Sequence, residues 1–269
     1  MVPLEGRTAI VTGTSPNIGG GIAEGLSAAG ANLVCTDARR ENADDCAAYI
    51  ESAGGRALGL VGDVTDETSA KSVVDAAWDA YGHADVLVNN AVVFNQKGVL
   101  DMPLREWLEQ TGVILTGAFL MTKHFAARLI AAKRPGVVIN IISTAGHQGQ
   151  PGNVGYCTGK SGLINFTQSV AMELAPHDIR VVSWTPTATD PSESRERAAR
   201  WGRSVSTGSR RDVMERFRKG VPMQKLPVPS NYAKAAVFLA SDDAAMITGS
   251  DLKVDAGALA RYWAWDPAG

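Results

Sequence analysis

Tyr156 and Lys160 stand four residues apart in a stretch with helical patterning, Gly155 to Ala175, so both side chains fall on one helix face with the lysine one turn beyond the tyrosine. A free phenol has a pKa of about 10 and is a poor acid–base group at neutral pH. An ammonium about 5 Å away, at an effective dielectric of about 20, stabilises the phenolate by roughly 3 kcal/mol and brings proton exchange within reach. Ser143 lies thirteen residues before the tyrosine, just past an apolar strand, where its hydroxyl could hold a substrate oxygen beside the phenol. Taken singly, each residue has a plainer reading. Tyr-x-x-x-Lys is common by chance on amphipathic helices, and a serine after a strand is usually a cap or turn residue.

A second group of residues suits an anion. Thr12-Gly13-Thr14-Ser15-Pro16-Asn17-Ile18-Gly19-Gly20-Gly21 runs from the first strand straight into the first helix. Glycines there let the backbone turn tightly and approach a pyrophosphate, and the helix N-terminus offers unpaired N–H groups and positive dipole. Gly13, Asn17, Ile18 and Gly19 are therefore candidate dinucleotide-binding residues. Asp37, ending the second strand, can accept hydrogen bonds from both ribose hydroxyls of an adenosine and would repel a 2′-phosphate. Arg39 and Arg40 follow closely and could pair with such a phosphate, so NAD is favoured and NADP is the lesser alternative. Asp63-Val64 follows the third strand and Asn89-Asn90-Ala91 the fourth. Asp63 suits an adenine amino group, while Asn90 either braces the turn or touches the ribose.

These positions need a scaffold, and the chain supplies one. Short β-branched runs (Thr8–Thr12, Asn32–Thr36, Ala57–Val61, Val86–Val88, Val137–Ile142, Val181–Trp184, Leu252–Val254) alternate with helical patterns at Ile18–Ala29, Ala43–Ala53, Ser69–Tyr81, Leu104–Ala132, Gly155–Ala175 and Tyr232–Ala240. Strands apolar on both faces and separated by helix-length segments predict a doubly wound, Rossmann-type α/β fold with about seven parallel strands and helices on both faces. Asp66 and Ser230 are the expected caps of two of the helices. One dinucleotide-binding catalytic domain over residues 1–269 is expected, with a small helical lid around 190–220, where strands stop and arginines such as Arg197, Arg200, Arg203 and Arg210 accumulate. Those arginines could attract a carboxylated or phosphorylated substrate, though a solvated helix face is the commoner explanation.

The 269 residues are 45% hydrophobic with a formal net charge of −2, which supports one well-buried core and gives no general attraction to nucleic acid or an anionic membrane. No charged segment followed by an apolar one opens the chain, and no apolar run approaches the roughly 20 residues of a membrane span, so a soluble cytoplasmic protein is expected. Cys35, Cys46 and Cys157 are an odd, scattered set, and His83, His124 and His177 are equally dispersed, which predicts neither disulfide framework nor metal site. His147 and Gln148 follow Ser143 closely; a hydrogen-bonded turn is the simpler reading for the histidine than a pocket wall.

Thr12-Gly13 through Gly19, Asp63-Val64, Asn89-Asn90-Ala91, Ser143, Tyr156 to Lys160, Pro186, Ile247-Thr248-Gly249 and Val254-Asp255 together resemble the short-chain dehydrogenase/reductase family over essentially the full length. The resemblance implies hydride transfer at nicotinamide C4, with Tyr156 as proton donor or acceptor, Lys160 also binding the nicotinamide ribose, and Ser143 orienting the substrate oxygen. It extends the cofactor-binding candidates to Pro186, Thr187 and Thr189, and implies a homotetramer or dimer built on the long helices and the last strand. The aromatic ending Tyr262-Trp263-Ala264-Trp265 is expected to pack on another subunit or on the core.

Three positions depart from the family pattern. Asn17 replaces a glycine, a mild change because asparagine tolerates the left-handed conformation. Thr187 replaces the glycine after Pro186 and puts a side chain near the expected nicotinamide pocket. Ile114, in Val113-Ile114-Leu115-Thr116-Gly117, stands where an asparagine usually holds a water connecting the lysine to solvent; its backbone carbonyl could still bind that water. The expected function is hydride exchange between NAD(H) and a small secondary alcohol or ketone, of sugar, cyclic alcohol or hydroxy acid type. The alternative is a catalytically weakened nucleotide-binding regulatory or structural protein of the same fold, which the retention of Tyr156 and Lys160 argues against.

Overall fold

In a computed structural model that describes residues 3–204, 211–262 and 264–265, the chain runs β1 (Thr8–Thr12), α1 (Ile18–Ala28), β2 (Asn32–Asp37), α2 (Arg40–Ser52), β3 (Ala57–Val61), α3 (Glu67–Tyr81), β4 (Val86–Asn89), α4 (Leu104–Thr111), a π-helical turn (Gly112–Thr116) and α5 (Gly117–Ala132). It continues through β5 (Gly136–Ile141), α6 (Thr144–His147), α7 (Val154–Leu174), β6 (Ile179–Pro186), α8 (Ser192–Arg200), α9 (Arg211–Lys219), α10 (Pro229–Ala240) and β7 (Asp251–Val254). The strands form one seven-stranded sheet in the order β3-β2-β1-β4-β5-β6-β7, every pairing parallel. This is the doubly wound arrangement, with the order reversing beside β1.

The central strands are apolar on both sides because both sides are covered. Val11, Cys35, Val88 and Ile139 point into one core layer with Ile22 and Leu26 of α1 and Leu239 of α10; Ile10, Val34, Leu87 and Val138 point into the other with Val74 of α3 and Phe125 of α5. In the first layer Trp184 of β6 stacks on Tyr232 of α10, ring centres 4.9 Å apart. A smaller cluster of Ile114, Ala118, Ile142 and Leu163 lies under the first turns of α7, with Tyr156 packed against it.

Local signals acted largely as expected, with shifts at the ends. The Asp66 carboxylate accepts the Ser69 N–H at 2.7 Å and caps α3, and Gly82 ends that helix at φ 78°. Helix α2 starts at Arg40, three residues before the predicted Ala43. Ser230 does not cap α10: the helix begins one residue earlier at Pro229, and the exposed start is closed by Asn231, whose side chain accepts the Val228 N–H at 3.0 Å. The Glu193 carboxylate takes the Ser230 N–H and hydroxyl, at 2.8 and 2.7 Å. Leu104–Ala132 reads as one helix of 29 residues whose most apolar stretch has a mean hydropathy of 1.3, long and apolar enough by composition to cross a membrane, against the expectation that no such run exists. Half of its most apolar window is buried inside the protein, which is the signature of a core helix. Residues 205–210, including Arg210, and Trp263 of the aromatic ending lie outside the described residues.

Candidate active site

The turn after β1 is held by contacts that leave no room for side chains. Gly13 adopts φ +72°, and a Cβ there would stand 2.8 Å from the Ala91 Cα. A Cβ on Gly19 would fall 2.0 Å from the Gly13 carbonyl oxygen and 2.6 Å from Asn90 Nδ2. Asn90 uses its amide to donate to the Thr12 and Gly13 carbonyls, at 3.0 and 2.9 Å, so of its two expected roles the structure displays the brace. Thr12 Oγ1 completes the lock by accepting the Asn90 and Ala91 N–H groups at 3.0 Å. Asn17 caps α1 at φ −96° and ψ −133°, so the substitution for glycine needs no left-handed backbone, contrary to expectation. Its side-chain oxygen instead accepts the Ser194 hydroxyl at 2.9 Å. Ile18 opens α1 and packs on the core.

A cleft of about 110 Å³ continues from this turn across the ends of β2 and β3, bordered by Gly13, Asp37, Asp63, Val64, Ala91 and Val92. One Asp37 carboxylate oxygen accepts the Arg39 N–H at 2.9 Å, which leaves the other for a further donor. Asp63 closes its own turn, accepting from the Thr65 N–H at 2.8 Å and the Thr65 hydroxyl at 2.7 Å. Thr14, fully buried beside the glycine turn, has a hydroxyl without a partner among the described residues. A helix N-terminus for an anion, an unpaired buried hydroxyl and a carboxylate at the cleft rim fit the donor and acceptor needs of a dinucleotide.

Across the sheet edge, Ser143, Tyr156 and Lys160 meet. Ser143 follows β5 and caps α6, its hydroxyl accepting the Ala145 N–H at 3.2 Å, and it lies beside the Tyr156 phenol. The Lys160 ammonium lies 5.8 Å from the centre of the Tyr156 ring and donates to the Ile141 carbonyl at 2.5 Å. Lys160 is 3% exposed, and this burial brings its pKa down to about 7. Burial pushes the Tyr156 phenol above its ordinary value, with the Ser143 hydroxyl working the other way. The expectation of a phenol lowered by its lysine is thus not met by the polypeptide alone. The same dry surroundings that raise the phenol also discharge the ammonium that was to lower it.

Ile114 lies within the π turn and is 2% exposed, its side chain 3.0 Å from where a Cβ on Gly159 would stand. It fills the apolar cluster beneath α7. Pro186 ends β6, and Thr187 offers its carbonyl to the Tyr232 hydroxyl at 3.2 Å; the Thr189 hydroxyl also meets Tyr232, at 3.3 Å.

Arg197, Arg200 and Arg203, after β6, are engaged within the chain. Arg197, 4% exposed, pairs with Glu24 at 2.9 Å and donates to the Pro16 carbonyl at 3.3 Å. Arg200 reaches the same carboxylate at 3.2 Å and lies 4.8 Å over the Tyr49 ring. Arg203 donates to Asp45 at 2.7 Å and Asn42 at 2.6 Å. These contacts dock α8 on α1 and α2, beside the glycine turn. The lesser reading of these arginines as attractors of an acidic substrate loses support, since Arg203 pairs with Asp45 and Arg200 shares the Glu24 carboxylate with Arg197.

Two features were not anticipated. Phe94, after the Asn89-Asn90-Ala91 stretch, sets its ring edge-on to Tyr156 at 5.0 Å, and Val92 and Val93 line the cleft. They belong to an extended segment between β4 and α4 without periodicity, and only their apolar character so close to a strand end hints at a ligand. The other is a polar network around His147, described below.

A family model described as enoyl-(acyl carrier protein) reductase matches residues 13–258. The 3-oxoacyl-[acyl-carrier-protein] reductase FabG of Haemophilus influenzae is 34% identical over 256 residues, 94% of this chain and 98% of that protein. The cis-4-hydroxycyclohexanecarboxylate dehydrogenase of Sinomonas cyclohexanicum is 35% identical over 93% of this chain and 96% of its own length. The crystal structure of a short-chain type dehydrogenase/reductase from Mycobacterium marinum superposes with a TM-score of 0.84 at 27% identity, covering 97% of this chain and 98% of that one.

Three outcomes follow from this geometry. Lys160 has a folded pKa near 7 against about 10.5 when unfolded, so the unfolded chain binds more protons between those values and stability rises with pH across that window. Urea unfolding of the cofactor-free protein should show wild type gaining on Lys160→Met from pH 7 to 9.5; parallel curves would refute the depressed pKa. Ile114→Asn should cost about 1–3 kcal/mol, read as a lower urea midpoint, because it places an amide in an apolar cluster. Arg200→Ala with Arg203→Ala should leave the KM for substrate unchanged, and a raised KM would restore a substrate-binding role.

Proposed function

Since the chain belongs to the short-chain dehydrogenase/reductase family and is an oxidoreductase acting on CH–OH groups, we propose that it exchanges a hydride between NAD(H) and a small secondary alcohol or ketone, of sugar, cyclic alcohol or hydroxy acid type. The observation that carries this reading is the meeting of Ser143, Tyr156 and Lys160 at the sheet edge, on the same side as the cleft beside the glycine turn with a carboxylate on its rim.

In this reading Gly13, Asn17, Ile18 and Gly19 hold the pyrophosphate at the start of α1. Asp37, Asp63 and Val64 border the adenosine, Asn90 keeps the turn in shape, and Pro186, Thr187 and Thr189 flank the nicotinamide end. The bound nicotinamide supplies a two-electron hydride acceptor or donor. The Tyr156 phenol gives its proton to the carbonyl oxygen in reduction and takes the hydroxyl proton in oxidation. Ser143, beside the phenol, shares the substrate oxygen with it and fixes its approach. Lys160, near its titration midpoint at pH 7, stands one helical turn away to replenish or drain the phenol. The helical segment α8–α9 acts as a lid whose first helix is anchored on the cofactor side.

NAD is preferred over NADP because the Asp37 carboxylate would face a 2′-phosphate directly. A homotetramer or dimer is part of the proposal, supported by the exposed apolar side chains Leu104, Leu108, Phe119 and Met172 along the long helices. A cytoplasmic setting suits three cysteines that all remain free thiols.

The test is NADH formation from a panel of secondary alcohols, sugars and hydroxy acids. Tyr156→Phe should lower kcat by about 10²–10⁴-fold, and Asp37→Ser should move the NAD-to-NADP ratio of kcat/KM toward NADP by more than about tenfold, or ~1.4 kcal/mol. Turnover indifferent to Tyr156→Phe would contradict the mechanism, and an unchanged ratio would contradict the cofactor assignment.

A further inference from the structure

Ser143 is carried by very little structure. It caps α6, a single turn ending at His147, and an element that short has no hydrophobic stripe of its own to fix its orientation. Two contacts hold the turn. On one side Gly146 is pressed against α7, where a Cβ would stand 2.9 Å from the Lys160 carbonyl carbon and oxygen. On the other side the His147 ring reaches β6 and β7: Nε2 lies 3.0 Å from Thr185 Oγ1 and 3.3 Å from Asp251 Oδ2.

The hydrogen-bond inventory fixes the polarity of this second contact. Thr185 donates its one hydroxyl proton to the Asp251 carboxylate, at 2.9 and 3.0 Å, and Ser183 donates to the same carboxylate at 3.0 Å. The threonine oxygen therefore receives from the imidazole, and the ring proton resides on Nε2. Thr185 and Ser183 are 0% and 1% exposed, so the far side of the network is rigid and dry; Lys253, 3.8 Å from Asp251 on its exposed side, is the other charged group facing it. Thr185 immediately precedes Pro186 and Thr187, so the same network joins the Ser143 turn to the strand end that flanks the nicotinamide in the mechanism above.

We propose that His147 is a positioning residue for Ser143: through Nε2 it ties the one-turn helix to buried Thr185 and its partner Asp251 and thereby holds the serine hydroxyl on the Tyr156 side of the site. This role presupposes the dehydrogenase reading, and the experiment separates the two.

Kinetics of wild type, His147→Ala, His147→Gln and Tyr156→Phe are measured on the best alcohol of the panel, with His147→Ala repeated in a Ser143→Ala background. NADH binding is followed by fluorescence, and folding by urea denaturation. His147→Ala should lower kcat about 10–100-fold, the scale of a misplacement near 1 Å, with the NADH Kd unchanged. His147→Gln, whose amide nitrogen can donate to Thr185, should stay within about threefold of wild type. In the Ser143→Ala background, His147→Ala should add nothing, because the group it positions is gone. Full kcat in His147→Ala, or a loss that multiplies with that of Ser143→Ala, overturns the role while leaving the dehydrogenase reading intact. Absence of turnover in wild type overturns both. If His147→Ala fails to fold, Thr185→Val removes the acceptor at nearly constant shape and is read in the same cycle, with the same outcomes.

Discussion

Parallel strands cannot be joined by a tight turn, so every strand in this sheet must hand the chain to a crossover before the next can pair. The consequence is geometric: all seven strands end at the same edge, and each ending is a point where backbone and side chains leave the ladder. The glycine turn, Asp37, Asp63, Asn90, Ser143 and Pro186 all occupy such endings, within a residue or two of the last ladder bond. Residues separated by more than a hundred positions in sequence are thereby brought to one line without any contact having to be arranged for the purpose. The chemistry is laid over that edge by α7, which rests on the sheet and presents Tyr156 and Lys160 toward it.

Water exclusion is the second constraint, and it acts on the phenol and the amine together. Lys160 is buried against the β5 end, where the Ile141 carbonyl accepts its hydrogen bond, and Tyr156 packs on the apolar cluster of Ile114, Ile142 and Leu163. Both the amine and the phenol are driven toward their neutral forms. A site prepared in this way holds little charge until a charged ligand arrives, and the electrostatic interactions made then are strong because the dielectric is low.

The fold, and the placing of the two candidate clusters at strand ends, were legible from sequence because they rest on local rules: apolar runs of strand length, a glycine turn between strand and helix, a tyrosine and a lysine at helical spacing. What escaped was set by long-range contact. Asn17 was read through backbone tolerance, yet its role is to accept a hydrogen bond from Ser194, which lies 177 residues away. Arg200 and Arg203 looked like free cations because their partners Glu24, Asp45 and Asn42 sit on helices read only for their apolar faces. His147 was correctly read as hydrogen-bonded, but nothing near it in sequence points to Thr185 and Asp251. The titration of Tyr156 was misjudged for a related reason: spacing gives the distance to a charge and says nothing of the dryness that removes the charge.

The docking of α8 ties two regions that are often treated as separable. A Cβ on Gly20 would stand 2.9 Å from the Trp201 ring and 3.1 Å from Arg197 Cδ, and one on Gly21 would meet Pro229 at 2.7 Å. These glycines are therefore kept small by the polypeptide lying on them as well as by any anion at the helix start. For protein engineering, this means that the segment after β6 is not a modular cassette. A graft that exchanges it to alter substrate scope has to carry counterparts of Arg197 and Trp201, or the groove along Gly20 and Gly21 is left bare and Glu24 loses its counter-ion.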